Sequence, residues 1–265
     1  KYLKNNFHLG LTIDSGNGNC WRCGAHSLLD VVQILLHCSQ PSALKIISQY
    51  SDGIVQRIKQ HREKFTAQVE ECKLPYGTEE LTRWHWEYLK KRNYDPEQLV
   101  KIWKLKGTSY LGDYKYRIIA PIYFNRTLVS YQGRDITGKS SLRYKNCAED
   151  KELMHMKHIL YGYDESDIGG RVVLVEGITH VWRLGIGSVA SFGTGWTEEQ
   201  KALLAKSYQE IIIMYDPEET AQLRAEQLGN ELTMAGKYVE LINVGCDPGE
   251  LSQQKADEWM RKIFK

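Results

Sequence analysis

The chain has 265 residues, 42% of them hydrophobic and 26% charged, and 35 Lys+Arg against 33 Asp+Glu give a net charge of +2. This composition excludes a disordered, fibrous or collagen-like chain, and no apolar run approaches the roughly 20 residues that cross a bilayer, so no membrane is expected as a partner. The near-neutral total hides a division: residues 166–265 carry 10 Lys+Arg and 15 Asp+Glu, which leaves 25 and 18 for residues 1–165. A basic part beside an acidic part suits a polyanion on one surface and cations held by carboxylates on the other; solvated surfaces that merely differ give the same sums. Six cysteines include one close pair and no secreted disulfide pattern, and Lys1–Asn6 has neither an initiator Met nor an apolar signal core. The sequence therefore reads as intracellular, with reduced thiols and with residues missing upstream of Lys1.

Phe7–Ile13 alternates and is followed by Asp14-Ser-Gly-Asn-Gly-Asn19, which predicts a hairpin over 7–22. From about Ala25 to Arg92 the pattern is helical, with a break at Ser39-Gln-Pro41. Asp95-Pro96-Glu97 supplies an N-cap ahead of Pro, and the helix it starts is expected to end near Gly107. Between Tyr116 and Tyr163 the period becomes two, predicting a small antiparallel sheet. From Arg171 strands and helices alternate: strand 172–176, helix from 179, strand 188–192, helix 198–207, strand 210–215, helix 218–235, strand 238–242 and a helix from Pro248. Such alternation predicts a mostly parallel sheet with helices on both faces, so the fold class is α/β, or α+β overall. Four regions follow: 1–38, 39–110, 111–168 and 169–265.

Cys20-Trp-Arg-Cys23-Gly24 presents two thiolates at the spacing of a zinc knuckle, which is half of a tetrahedral site. The other pair is expected upstream of Lys1; two buried thiols without metal fit equally well. Further along, Val172-Val-Leu-Val runs straight into Glu176-Gly177, and Ile211-Ile-Ile-Met-Tyr into Asp216-Pro-Glu218. In an open α/β sheet these strand ends are where ligands bind. Asp247-Pro248 follows the last strand closely. Converging carboxylates repel unless a cation neutralises them, and oxygen donors suit Mg²⁺ or Mn²⁺. Asp247 taken alone equally well caps the next helix. The antiparallel segment carries Arg117, Arg134, Arg143, Lys145 and Lys157 among Tyr131, Tyr144 and Tyr161. Arginine forks suit phosphates and tyrosine faces suit bases, as a groove for a single strand and nucleotides requires.

These elements in this order resemble a DnaG-type DNA primase over nearly the whole chain. The Cys20–Gly24 knuckle resembles the second half of that family's zinc ribbon, and 93–104 the short helix before its polymerase core. Arg117-Ile-Ile-Ala-Pro-Ile122, Gly133-Arg-Asp135, Arg143-Tyr-Lys-Asn146 and Lys157-His-Ile-Leu-Tyr-Gly162 resemble its basic subdomain. That likeness implies that Arg117, Arg134, Arg143, Asn146 and Lys157 contact template or triphosphate. The segment from Arg171 is similar to a TOPRIM domain, with Glu176-Gly177, Ser191–Thr194, Asp216-x-Glu218 and Asp247-Pro248 at its marker positions. The resemblance implies Mg²⁺ or Mn²⁺ on Glu176, Asp216, Glu218 and Asp247, with Glu176, Asp216 and Glu218 catalytic, and zinc as a further candidate ion. Two positions depart from the pattern: His180 stands where the family usually has Asp, and Asp216-Pro-Glu218 replaces Asp-Gly-Asp.

What the likeness implies is RNA primer synthesis on single-stranded DNA from nucleoside triphosphates. A replicative helicase is a candidate partner, and the setting is the cytoplasm of a bacterium or of a phage-infected host. The departures fit a divergent phage or mobile-element member. A metal-dependent nuclease on the same carboxylates, or a single-strand-binding protein whose catalytic site has decayed, are the alternatives.

Overall fold

A computed structural model describes residues 9–11, 18–20, 24–50, 70–166 and 169–265. The chain divides into two units, Lys1–Gln68 and Val69–Lys265; the division falls inside the segment read from sequence as helical. In the first unit β1 (Leu9–Leu11), β2 (Gly18–Cys20) and β3 (Gly24–His26) form an antiparallel sheet in that order. The helix expected from Ala25 thus gives way to a third strand. Helix α1 (Leu28–Leu36) starts only after Ser27, which forms a reciprocal capping box with Asp30, and α2 (Gln40–Tyr50) follows. Cys23 and the side chain of Cys20 lie outside the described residues.

The second unit begins with β4 (Thr78–Glu79), α3 (Arg83–Lys91) and α4 (Pro96–Trp103). Asp95 caps α4 as expected, its carboxylate accepting the N–H groups of Glu97 and Gln98. The helix stops earlier than Gly107, because Lys104 takes the left-handed conformation (φ 53°) that ends it, and Gly107 instead lies in β5 (Lys106–Thr108). A sheet β4-β5-β6-β7-β8 is completed by β6 (Arg117–Phe124), β7 (Thr127–Asp135) and β8 (Tyr144–Asn146), all neighbours antiparallel. His85 of α3 fastens this sheet. The Thr82 N–H donates to its Nδ1, so the ring proton is on Nε2 and donates to the Arg117 carbonyl at 3.1 Å. Burial pushes His85 below its ordinary pKa and keeps it neutral. Only glycine fits opposite the ring, since a Cβ at Gly107 would stand 2.6 Å from its Cε1.

The parallel sheet contains β9 (Arg171–Val175), β10 (Ser188–Ala190), β11 (Glu210–Ile213) and β12 (Tyr238–Leu241), in the order β10-β9-β11-β12. Between them come α5 (Ile178–Leu184), α6 (Glu198–Ser207) and α7 (Glu219–Met234), and α8 (Gln253–Ile263) closes the chain. The helix expected from Pro248 is a single 3-10 turn, Pro248–Glu250, and α8 starts after a second cap at Ser252. Alternate residues of the strands face opposite layers. Val173, Val175, Ile212 and Met214 join Ile178, Val181, Ala256 and Met260 from α5 and α8 in one core, while Val172, Leu174, Ile211 and Ile213 join Leu204, Ala225 and Leu228 from α6 and α7 in another. Each fully buried aliphatic side chain contributes about 1.5–3 kcal/mol, which explains why these strands are apolar throughout rather than alternating. Ile118, Ala120 and Ile122 of β6 enter the first of these cores, so the antiparallel and parallel sheets share it. Tyr131 and Tyr161, expected as faces for bases, are both buried, Tyr131 against Tyr114 and Tyr161 against Trp103. An alternating pattern identifies two faces of a strand but not which of them is wet.

Candidate active site

From β9 the chain goes to β10 on one side and then returns past it to β11 on the other, so the strand order reverses between β9 and β11. A crevice opens at such a point, beyond the carboxyl ends of the strands. Glu176 follows β9 and Asp216 follows β11 there. They are directly linked: the Asp216 N–H donates to Glu176 Oε1 at 2.9 Å. The Asp216 backbone is held in turn by Gln222, whose amide donates to the carbonyls of Tyr215 and Asp216. The Gly193 N–H donates to the Glu176 carbonyl at 2.7 Å and ties in the loop after β10.

Asp247, beyond β12, reaches the same place. Its Oδ1 accepts from the Gly249 N–H at 2.7 Å and lies 3.1 Å from His180 Nε2. The expected capping role is therefore present together with a contact to the cluster. His180, in the first turn of α5, also approaches Asp216, with Nε2 3.8 Å from Oδ1. Glu218 is exposed at the N-cap of α7 and makes no capping hydrogen bond. Burial, with like charge from Glu218 among the further causes, pushes the carboxyls of Glu176 and Asp216 above their ordinary values. Asp247 goes the other way, held down mainly by its hydrogen bond to His180. Among the described residues no Lys or Arg forms an ion pair with Glu176, Asp216, Glu218 or Asp247; His180 lies against Asp216 and Asp247, and the charge of Arg92 also acts on Asp247. Asp216 Oδ1 is buried and has no hydrogen-bond partner. A buried carboxylate oxygen without a partner is a donor that a divalent cation satisfies, and the described residues close enough to share one are His180, Asp216 and Asp247, while Glu176 and Glu218 lie outside that group. In the absence of divalent ions Asp216→Asn should raise the melting temperature by about 2–4 °C, the equivalent of roughly 1 kcal/mol of relieved charge burial. A thermal melt in EDTA measures it.

The basic residues divide into two groups. Arg117 is 5% exposed. Its guanidinium donates to the carbonyls of Gly133 and Leu142 and to Ser140 Oγ, at 3.0, 2.9 and 2.9 Å. Lys157 is held by three carbonyls, those of Ser191, Phe192 and Gly195, at 2.9, 3.0 and 2.7 Å, and burial lowers its pKa. Both cations thus organise loops of their own chain. Arg143 and Asn146 are exposed on and beside β8, and Lys145 lies over the Tyr114 ring. Arg134, 7% exposed and so nearly as buried as Arg117, stacks 4.6 Å above the Tyr144 ring and donates to the Tyr88 hydroxyl. The Tyr144 hydroxyl meets Thr179 Oγ1 at 3.0 Å, one residue before His180. This chain of contacts places the Arg134 plane beside the helix that leads from Glu176. Tyr88, Thr179 and Arg183 were not singled out from sequence. For Arg183 the available signal is a lone charge in the apolar turn Val181-Trp182-Arg183-Leu184.

The parallel sheet with acidic strand ends, joined to a basic antiparallel sheet, defines the class: the fold is that of the DnaG-type primases, and the sequence is related to theirs. The DNA primase of Borreliella burgdorferi is 28% identical over 204 residues, which are 72% of this chain and 38% of that protein. The chain thus matches well under half the length of that relative. Among solved structures, the zinc-binding and RNA polymerase domains of Aquifex aeolicus primase match 97% of the chain and 74% of theirs, with a TM-score of 0.62 and 21% identity. A DnaG primase catalytic domain bound to single-stranded DNA matches 68% of the chain and 71% of its own, with a TM-score of 0.57 and 20% identity. No family model matches the chain. No helix among the described residues is long and apolar enough to cross a membrane.

Proposed function

We propose that the chain synthesises short RNA primers on single-stranded DNA by cation-dependent nucleotidyl transfer. The observation that carries this reading is the meeting of Glu176 and Asp216 at the point where the strand order reverses, one contact chain away from Arg134. Glu176, Asp216, Glu218 and Asp247 hold Mg²⁺ or Mn²⁺ in this proposal. When bound, the ions acidify the attacking 3′-hydroxyl and stabilise charge developing on the α-phosphate.

The chain's own residues do the positioning. The Asp216 N–H fixes one oxygen of Glu176, and the Gly249 N–H with His180 fixes Asp247, so the acidic groups are oriented before any ligand arrives. Arg134, Arg143 and Asn146 are assigned to template and triphosphate; Arg143 and Asn146 are exposed, while Arg134, 7% exposed, is held against Tyr144 and Tyr88. Arg117 and Lys157 act one step back, holding the 138–143 and 191–195 loops and adding positive field. Cys20 and Cys23 are assigned half of a zinc site that engages template, 111–168 the basic subdomain and 169–265 the catalytic domain; of the region 39–110, the part from Val69 belongs to the second unit and supplies two strands to the sheet of the basic subdomain. A replicative helicase is the partner assigned to the assembled enzyme in the cytoplasm.

The test is incubation of the protein with labelled ribonucleotides and bare single-stranded DNA, with Mg²⁺ or with EDTA. Template-complementary oligoribonucleotides that vanish in EDTA are expected. Shortened DNA without incorporation would identify a nuclease instead, and DNA binding indifferent to EDTA without incorporation a binding protein; either overturns the proposal.

A further inference from the structure

His180 is 7% exposed, and its Nε2 faces two carboxylates that belong to different loops. One donor atom from each of His180, Asp216 and Asp247 lies within 4.8 Å of the others. Two donors on opposite sides of a small divalent ion, each at about 2.1 Å, stand about 4.2 Å apart, so this triangle closes on an ion with shifts of a few tenths of an ångström. The imidazole cannot retreat. Gly249 packs on it so closely that a Cβ there would stand 3.0 Å from His180 Cδ2, and the first turn of α5 fixes its root. One observation marks the cluster as a ligand site rather than a set of satisfied groups: Asp216 Oδ1 is buried without a partner. An ion would replace the proton that now lies between His180 Nε2 and Asp247 Oδ1, 3.1 Å apart, with the neutral ring carrying its proton on Nδ1 instead. Lys157 is committed to three carbonyls and Arg183 to the carbonyls of Arg92 and Asn93; the charge of Arg92 reaches Asp247 but makes no ion pair with it, and no cation other than His180 lies against Asp216 among the described residues.

We propose that His180 is itself a cation ligand through Nε2, completing with Asp216 and Asp247 a mixed nitrogen–oxygen site that selects Mn²⁺ over Mg²⁺. This rests on the cation site proposed above, but it changes that site's chemistry. Magnesium is a hard ion served by carboxylate and water oxygens, whereas imidazole nitrogen suits transition metals, which gain more from it. Asp216 and Asp247 alone would leave Mg²⁺ competitive; a nitrogen donor tips the set toward Mn²⁺. The lack of an acceptor at Nδ1 limits the gain, because a ligand histidine backed by a carboxylate or carbonyl binds 10–100-fold better than one without, so the expected preference is about tenfold rather than far larger.

The experiment is pulsed electron paramagnetic resonance on Mn²⁺ bound to the whole chain, without nucleotide or template. Modulation from a directly coordinated ¹⁴N is expected, and it should change to the ¹⁵N pattern when histidine is isotopically labelled. In His180→Asp the modulation should vanish while Mn²⁺ still binds, and the ratio of Mg²⁺ to Mn²⁺ dissociation constants should fall by about tenfold. The labelling arm reads histidine coordination in the wild-type chain even should the variant fail to fold. Bound Mn²⁺ with no nitrogen coupling, or coupling that survives in a folded His180→Asp chain, overturns the proposal. Because no polymerisation is measured, a failed priming assay and a failed coordination experiment are separate results.

Discussion

Glu176→Lys or Asp216→Lys is expected to abolish Mg²⁺-dependent primer synthesis, a loss of about 10³-fold or more, since each change would remove a proposed cation ligand and place an ammonium where the cation would sit. Incorporation of labelled ribonucleotide on single-stranded DNA measures it. The two residues are not independent: the Asp216 N–H orients Glu176, and the backbone of one is part of the geometry of the other. Charge reversal also disturbs packing, so Glu176→Gln belongs in the same experiment. It keeps the hydrogen-bond acceptor and the volume, and it should leave the melt near that of the wild type while incorporation still collapses. Undiminished synthesis in either charge-reversed chain would remove the carboxylate mechanism.

The second large effect is structural. Arg183→Met should destabilise the Val69–Lys265 unit by about 3–5 kcal/mol, since several buried acceptors lose a charged donor at about 1–3 kcal/mol each, and lower its melting temperature by about 10 °C. Arg183 is 2% exposed and sits 4.1 Å over the Tyr94 ring. Its guanidinium donates to the carbonyls of Arg92 and Asn93 at 2.7 and 2.9 Å and to Gln253 Oε1 at 3.1 Å. Methionine fills the space but leaves those acceptors buried and unpaired, and acceptors deprived of a donor lose their full solvation. The residue lies one turn past Thr179 and His180 on α5, so the same change loosens the site. A thermal melt displaced by less than 2 °C, using about 2–4 °C per kcal/mol, would show that the carbonyls find other donors.

The acidic strand ends were legible in sequence because strands buried on both faces need unbroken apolar runs, and Val172–Val175 and Ile211–Tyr215 stop abruptly at a carboxylate. The capped helix at Asp95 was legible for an equally local reason. Other features depend on partners far away in the chain. Gly107 looked like a helix end, but Lys104 ends the helix and Gly107 is required instead by the His85 ring 22 positions earlier. His180 counted in the sequence only as a missing oxygen; that its nitrogen meets Asp247 follows from a turn 67 residues later. Arg117 and Lys157 were recognisable as cations of a basic sheet, yet all their acceptors but Ser140 Oγ are backbone carbonyls, which carry no sequence signature. Cys20 and Cys23 remain a spacing argument.

Strand order also sets which part of the Val69–Lys265 unit loosens first. β9 and β11 occupy the interior of the parallel sheet, with β10 and β12 as its margins, and the β10 margin is further covered by a bridge between Tyr161 and Ala190. β12, with Tyr238 and Leu241 exposed, is the margin from which fraying starts. Amide exchange therefore proceeds inward from 238–241 and reaches 172–174 and 211–213 last, so thermal breathing at the border leaves the acid pair mounted on the slowest-opening part of the sheet.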